Sequence, residues 1–333
     1  MVRNSVQSQR GLECSSEQSW LVSLWKLQGD RFVLSSLSRR RFLQIGVGLA
    51  AAGAAASLIE VGVLTEPNHP KLVRIEIPLS RLPAAFDGFT IAQLSDFHYD
   101  EHFSIVPIRA AVEIVNQLQA DLVVLTGDFI TVPMFPSYTH GRRRAISTAG
   151  PCASLLAGLR SRLGILAVLG NHDADAGAKA VTEALEAHGI SVLRNRSLPL
   201  ERGKARFWVA GVDDIMDGDP DVDLTLRGIP PEEAVVALVH EPDFARQLMR
   251  YPVDLQLSGH SHGGQIWLPG IGAPWLPELA RKYPRGLYRV GALTLYTNIG
   301  LGTIRLPIRL NCPPEITLFT LRSLDGNFQP QRS

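Results

Sequence analysis

Cysteine is nearly missing from this chain. Cys14, Cys152 and Cys312 are the only three in 333 residues, and no two share a short spacing. That excludes a disulfide framework and a cysteine zinc cluster, and leaves the thiols as small apolar fillers or unpaired groups. An excess of charge of one sign is lacking too. The 33 Lys and Arg nearly balance the 32 Asp and Glu, for a formal net charge of +1. Electrostatics therefore supply no case for nucleic-acid binding. What is present is a 45% hydrophobic, 20% charged composition, enough to bury a large core in one big domain, or in one domain with appendages.

Residues 1–37 are Ser-rich without a sustained period, which predicts a poorly structured leader. At Ser38 the chain changes character. Ser38-Arg39-Arg40-Arg41-Phe42-Leu43-Gln44 opens a stretch of 18 uncharged residues, Phe42 to Ile59, that includes Ala54-Ala55-Ala56 and ends at Glu60. A basic cluster, a moderately apolar stretch and small residues form the layout of an export signal, whereas buried helices rarely begin with three Arg. The SRRxFL order resembles a twin-arginine signal, so residues 38–60 are expected to engage the twin-arginine export machinery. Cleavage after Ala56 and retention as an anchor both stay open, because the stretch is marginally long enough to span a bilayer. With Arg39 to Arg41 cytoplasmic, either outcome puts the body in the periplasm or on the outer face of the cytoplasmic membrane. The length of the leader also suggests that translation begins nearer Val33, which amino-terminal sequencing of a signal-blocked precursor would decide.

The folded domain is expected over residues 71–322, with 323–333 as a tail. Lys71 to Ile77 alternates as a half-exposed strand, and Gly88 to Leu94 reads as a more buried one. The second ends in Ser95-Asp96-Phe97-His98, a spacing that keeps Asp96 and His98 on one side, where a carboxylate and an imidazole can share an ion. Ile105, Ile108, Val112, Val115 and Leu118 form a helical stripe of core residues. Asp121 to Leu125 is another strand, closed by Thr126-Gly127-Asp128. Its glycine permits close approach, and the two carboxylate oxygens of Asp128 can bridge two cations. Thr131 to Gly150 is rich in Pro, Ser and Gly and is expected to form a long surface loop. Within it, Arg142-Arg143-Arg144 reads as a solvated run before it reads as a phosphate contact.

The apolar run Leu163 to Leu169 delivers Gly170-Asn171-His172-Asp173 at its carboxyl end, a buried strand opening into a crevice. A helix over Ala176 to His188 follows, stopped by Gly189, with His188 against its dipole. The acidic loop from Asp213 to Asp223 is left outside the site as solvated. Ala234 to Val239 ends at His240-Glu241-Pro242, and Asp254 to Leu257 ends in Ser258-Gly259-His260-Ser261-His262, which sets two imidazoles on one rim. Of nine His, five (His98, His172, His240, His260, His262) stand at the carboxyl ends of apolar strands. Scattered structural histidines would not collect in this way.

The ordered blocks DxH, GD, GNHD, H and GHxH resemble those of the calcineurin-like metallophosphoesterases. The likeness continues through GGQI, Pro307-Ile308-Arg309 and Pro314-Glu315-Ile316, and with the export signal it looks most like the exported or membrane-associated phosphodiesterases of the YaeI/YkuE type. The resemblance implies an α/β fold of two packed mixed β-sheets flanked by helices, with metals at the strand ends. It implies two divalent cations, the first held by Asp96, His98 and His262, the second by Asn171, His240 and His260, and both bridged by Asp128. His172 would be the general acid, and Asp173 would orient its ring and favour its protonated form. Mixed His, Asn and Asp ligation suits Mn, Fe or Zn, and ligand type does not choose among them.

Two such cations clamp phosphoryl oxygens and acidify a water between them, which is the chemistry of P–O cleavage. The expected partner is accordingly a phosphoester substrate. Phosphodiesters, phosphomonoesters and the pyrophosphate bond of a nucleoside-diphosphate-lipid all fit the resemblance, although export disfavours the last. A non-catalytic envelope protein that binds anions or lipid phosphates through the same metals is the competing class, and an intact His172-Asp173 pair argues against it. The Pro-rich loop between Trp267 and Tyr288, with Leu268, Ile271, Trp275 and Leu276, reads as a packed loop or as an apolar wall for a lipid-linked phosphate.

Overall fold

The computed structural model describes residues 39–133 and 138–324. The expected leader 1–37 and nearly all of the tail lie outside the described residues. Contacts divide the chain into two units, one ending at Ala55 and one beginning at Ala56. Helix α1 (Arg39–Ile59) carries only small and apolar residues after its opening arginines and Gln44, and Leu43, Ile45, Val47 and Leu49 are exposed. Glu60–Thr65 continues it as one wide turn.

The second unit is built on two six-stranded sheets. Strands β1 (Lys71–Leu79) and β2 (Thr90–Leu94) are followed by helix α2 (Ile105–Leu118), and β3 (Leu122–Thr126) by helices α3 (Tyr138–Ser147) and α4 (Ala149–Leu156). Next come β4 (Ile165–Val168), helix α5 (Asn171–Glu186), β5 (Ile190–Val192), β6 (Arg196–Arg202), β7 (Ala205–Gly211), β8 (Val235–Leu238) and β9 (Leu255–Ser258). Strands β10 (Gly286–Val290), β11 (Leu293–Thr297) and β12 (Glu315–Ser323) complete the chain. The first sheet runs in the order β1-β12-β2-β3-β4-β5, the second β10-β11-β9-β8-β7-β6. Both are mixed. In the first, β2 to β5 are parallel and β12 meets β2 antiparallel; in the second, β7, β8, β9 and β11 are parallel, and the edge strands β6 and β10 are antiparallel to their neighbours.

Alternation of side chains across each strand decides which face meets which layer. Ile91, Leu122, Val124, Leu166 and Val168 of the first sheet face Phe207, Val209, Val236, Leu238, Leu255 and Leu257 of the second, in one core between the sheets. The residues in between, Ala92, Val123, Leu125 and Ala167, turn outward to pack under α2, α4 and α5. Both faces of these strands are buried, and so their sequences read as continuous apolar runs rather than alternating ones.

Two expectations change. Thr131 to Gly150 is not a loop throughout: α3 and the start of α4 occupy residues from Tyr138 onward. Ala145, Ala149, Cys152 and Ala153 present a small apolar face that the core buries, and Arg142 pairs with Asp175 of α5. Packing overrides the weak local signal of Ser, Gly and Thr. Helix α5 also starts five residues earlier than expected, at Asn171, because the Asp173 carboxylate accepts from Gly170 N at 3.0 Å and caps the first turn.

Candidate metal centre

Parallel strands present their carboxyl ends on one edge, and here two sheets do so side by side. Immediately beyond β2 stand Asp96 and His98, beyond β3 Asp128, beyond β4 Asn171 and His172, beyond β8 His240, and beyond β9 His260 and His262. The apolar runs end there because the polar residues need a crevice, while the runs themselves need both faces covered. Asp96, His98, Asp128, His260 and His262 all take left-handed backbone, with φ between 41° and 67°. For non-glycine residues each such conformation costs on the order of 1–3 kcal/mol, and it survives only where the surroundings over-determine it. It aims these side chains back into the crevice. Gly170 is required by close approach: a Cβ there would lie 2.4 Å from Asp128 Oδ1 and 2.7 Å from His240 Nε2.

The buried ligand-type atoms form two groups. Asp96, His98, Asp128 and His262 offer one atom each within 4.8 Å of one another, and so do Asp128, His240 and His260. His98 Nε2 and His262 Nε2 lie 3.0 Å apart. His262 Nε2 is 3.3 Å from Asp96 Oδ1, and His98 Nε2 is 3.3 Å from Asp128 Oδ2. That same Oδ2 is 3.2 Å from His240 Nε2, so Asp128 belongs to both groups. Its other oxygen accepts from His172 N at 3.0 Å, which fixes the carboxylate plane.

The outer contacts set the tautomers. His240 Nδ1 donates to Thr126 O at 2.6 Å and His260 Nε2 donates to Glu278 O at 2.7 Å, so that in the neutral form of each ring the opposite nitrogen carries the lone pair. His98 Nδ1 pairs with Thr131 Oγ1 at 2.9 Å. Asp96 accepts from His260 N at 2.9 and 3.1 Å. Carbonyl and hydroxyl partners of this kind orient imidazoles for metals.

The donor set fits divalent cations. Asn171 Oδ1, His240 Nε2 and His262 Nδ1 are buried with no hydrogen-bond partner among the described residues, which is costly unless something else satisfies them. Burial, then the neighbouring His240, pushes His260 down to about 3, and burial with His98 nearby holds His262 well below the usual imidazole range. Neutral imidazoles are the form that binds metal. Burial opposes the charge on Asp128, yet His240 and His172 outweigh it and hold its carboxyl well below the usual range. Burial likewise opposes charge on His240, but Asp128 and Asp96 raise that ring well above its ordinary value.

Asp173 does not orient His172. Its carboxylate accepts from Phe129 N, Ile130 N and Gly170 N and shares no hydrogen bond with the imidazole. Burial, then the charge of Asp128, raises it to about 7. The ring of His172 is held instead by Val132 N, which donates to Nδ1 at 3.1 Å. That bond puts the proton of the neutral ring on Nε2, and burial, the largest influence, lowers the ring to about 4. Sequence reading missed this backbone donor, as it missed Thr131 and Glu278, since none carries a motif.

Arg309 is also central. It is fully buried, and its guanidinium makes five hydrogen bonds, all to the carbonyls of Ile299, Gly302 and Cys312. It thereby holds the 299–302 loop, whose Leu301 N and Gly302 N donate to Ser95 O and Asp96 O at 2.9 and 2.7 Å.

Comparison with known proteins bears on the same residues. The sequence pattern of the calcineurin-like phosphoesterases matches residues 89–264. The chain is 38% identical over 295 residues to the uncharacterized metallophosphoesterase YkuE of Bacillus subtilis, covering 87% of this chain and 99% of that one. It is 30% identical over 291 residues to phosphodiesterase YaeI of Escherichia coli, covering 86% and 99%. A transmembrane protein with metallophosphoesterase domain from Danio rerio is 31% identical over 281 residues, covering 80% and 61%. Together with the two sheets and the paired clusters at their carboxyl edge, these matches mean that the chain belongs to the calcineurin-like phosphoesterase family.

Proposed function

We propose that this chain is a two-metal phosphodiesterase in which Asp96, His98 and His262 hold one cation, Asn171, His240 and His260 hold the other, and Asp128 serves both. The observation that carries the reading is the single oxygen of Asp128 set 3.3 Å from His98 Nε2 and 3.2 Å from His240 Nε2, where two groups of converging Asp and His side chains meet. When bound, two such cations polarise phosphoryl oxygens and supply an acidified water. The protein's own part is placement. Backbone amides fix both aspartates, carbonyls fix His240 and His260, and His172 lines the cavity that opens onto the cluster. With Nδ1 accepting from Val132 N, the neutral His172 ring presents its Nε2–H to the cavity, where it donates a hydrogen bond to the departing oxygen and stabilises the charge that develops there; a ring held neutral in this way is not the imidazolium that a general acid requires. Asp173 acts on the backbone around this group and not on the group itself.

The test is turnover of bis-p-nitrophenyl phosphate by the full chain, metal-stripped and then re-supplied with Mn, Zn or Fe. His172→Ala should retain its metal and lose on the order of a hundredfold in turnover. Unchanged turnover by that variant on a phosphodiester with a poor leaving group would remove His172 from the chemistry, and bound metal without turnover under any supply would favour an anion receptor.

For location, we propose twin-arginine export with the apolar segment as signal or anchor. The helical stretch Leu43–Asn68 is 26 residues long and apolar enough to cross a membrane, and the arginines precede it. Size comparison of the cell-associated chain with its precursor distinguishes cleavage from anchoring. Export that survives replacement of Arg39 and Arg40 by Lys would remove the twin-arginine route.

A further inference from the structure

The centre lies between two cavities of different character. One, of about 940 Å³, contains Asp128, Asn171, His172, His260 and His262 and continues along Val132, Pro133, Met216, Trp275, Pro277 and Ile304. This volume is at the upper end for small-molecule sites, and its far wall is carbon. The other, of about 570 Å³, begins at His98 and is mixed, with Glu101, His102 and Arg144 beside Phe103, Ala145 and Leu306. Thr131, Pro133 and Arg305 border both. A phosphodiester has two substituents, and this arrangement offers a mostly apolar cavity to one and a mixed cavity with charged groups to the other.

Arg305 stands on the divide. Its guanidinium lies over the Trp275 ring at 4.3 Å, and its backbone is left-handed at φ 66°, a strained state for arginine that clusters at ligand sites. Apolar groups also crowd the rim. Trp275 of the apolar wall is 47% exposed, Leu306 of the mixed cavity 60%, and Ile271, on the same loop as Trp275, 80%. The 304–312 loop is moreover where the segment following the apolar helix attaches. Arg309 N donates to Gly62 O at 2.8 Å, and the Glu66 carboxylate accepts from Asn311 N and Cys312 N. The loop whose Ile304 lines the apolar cavity is thus bonded to Gly62 and Glu66, at the carboxyl-terminal end of the Leu43–Asn68 stretch.

We infer that the substrate is a phosphodiester bearing one long alkyl or acyl chain, taken from a lipid surface, with the chain against Trp275 and Ile304 and the polar substituent on the Arg144 side. This rests on the phosphodiesterase reading above. Burial of a chain in the cavity makes a simple quantitative demand: each methylene removed from water raises kcat/KM by up to about fourfold. Phosphodiesters with the same leaving group isolate that effect from the chemistry.

The experiment compares p-nitrophenyl methyl phosphate with p-nitrophenyl hexyl phosphate, using the full chain in phosphatidylcholine nanodiscs, and adds a p-nitrophenyl ester of phosphatidic acid in phosphatidylcholine vesicles. The hexyl ester should exceed the methyl ester in kcat/KM by at least tenfold, and the vesicle-borne ester should be cleaved. Trp275→Ser and Ile304→Ser should each lower the hexyl-to-methyl ratio severalfold. Ile271→Ser with Leu306→Ser, both on exposed positions that tolerate polarity, should lower the vesicle-to-hexyl ratio. Equal kcat/KM for methyl and hexyl esters would overturn the inference and leave the phosphodiesterase reading standing. Release from neither would overturn both. A hexyl preference without cleavage in vesicles would overturn the lipid surface as the source.

Discussion

Replacing Asp128 by Asn is expected to reduce phosphodiester turnover by roughly a thousandfold, and to lower bound metal below two ions per chain. The shape is unchanged, so the effect isolates charge and donor type. Asn can keep the bond from His172 N with its amide oxygen, which today is made by Oδ1. Its NH₂ group then occupies the Oδ2 position, between His98 Nε2 and His240 Nε2. That position would turn from a shared anion into a donor facing two cations. Losing several kcal/mol of cation-borne stabilisation corresponds to about three decades in rate. Metal content by mass spectrometry beside turnover of bis-p-nitrophenyl phosphate checks both halves, and a variant with two ions and full rate would refute the bridging role.

Replacing Arg309 by Met should destabilise the fold by about 3 kcal/mol, and Lys should recover only part of the loss. Two effects compete. Removing a buried cation relieves its desolvation, which favours the variant. The carbonyls of Ile299, Gly302 and Cys312 would meanwhile lose all five bonds from Arg309 and stay buried, at on the order of 1–3 kcal/mol for each unsatisfied group. The second effect prevails because three acceptors remain behind after one donor leaves. Lys brings a point charge with three donors and no planar fork, and so cannot span the three carbonyls. Urea unfolding of the metal-stripped protein measures this free of metal linkage; an unchanged midpoint would show that the 299–302 loop holds itself. Because Gly302 N and Leu301 N anchor the backbone at Asp96 and Ser95, the Met variant should also bind metal more weakly.

The amino-acid sequence by itself determined the α/β class, the existence of most strands and the positions at which polar groups meet the ends of apolar runs. These are local properties. Val123 and Leu125 beside Leu122 and Val124 need both faces covered wherever they sit, and Thr126-Gly127-Asp128 follows them by covalent connection. Helix α2 was legible from its stripe for the same reason. The motif resemblance already grouped His98 with His262, which meet across 164 residues. Tertiary structure alone decided the contacts that hold those groups in place: His260 meets the Glu278 carbonyl across 18 residues, a contact that no motif encodes. Left-handed backbone at Asp96, Asp128 and His260 falls on residue types that accept it more readily than most non-glycine residues, yet which Asp and His adopt it is decided by their surroundings. Asp173 reads as the partner of its neighbour His172, yet the turn at Gly170 points it into three backbone amides and gives the imidazole to Val132 instead. The apolar cavity brings together residues from Asp128 to Arg305; the sequence marked the Trp267–Tyr288 loop as one candidate wall, and only packing supplied the others. Side-chain chemistry sets what each strand end can bind, while the packing of the two sheets sets which of them share an ion and what the substrate touches beyond it.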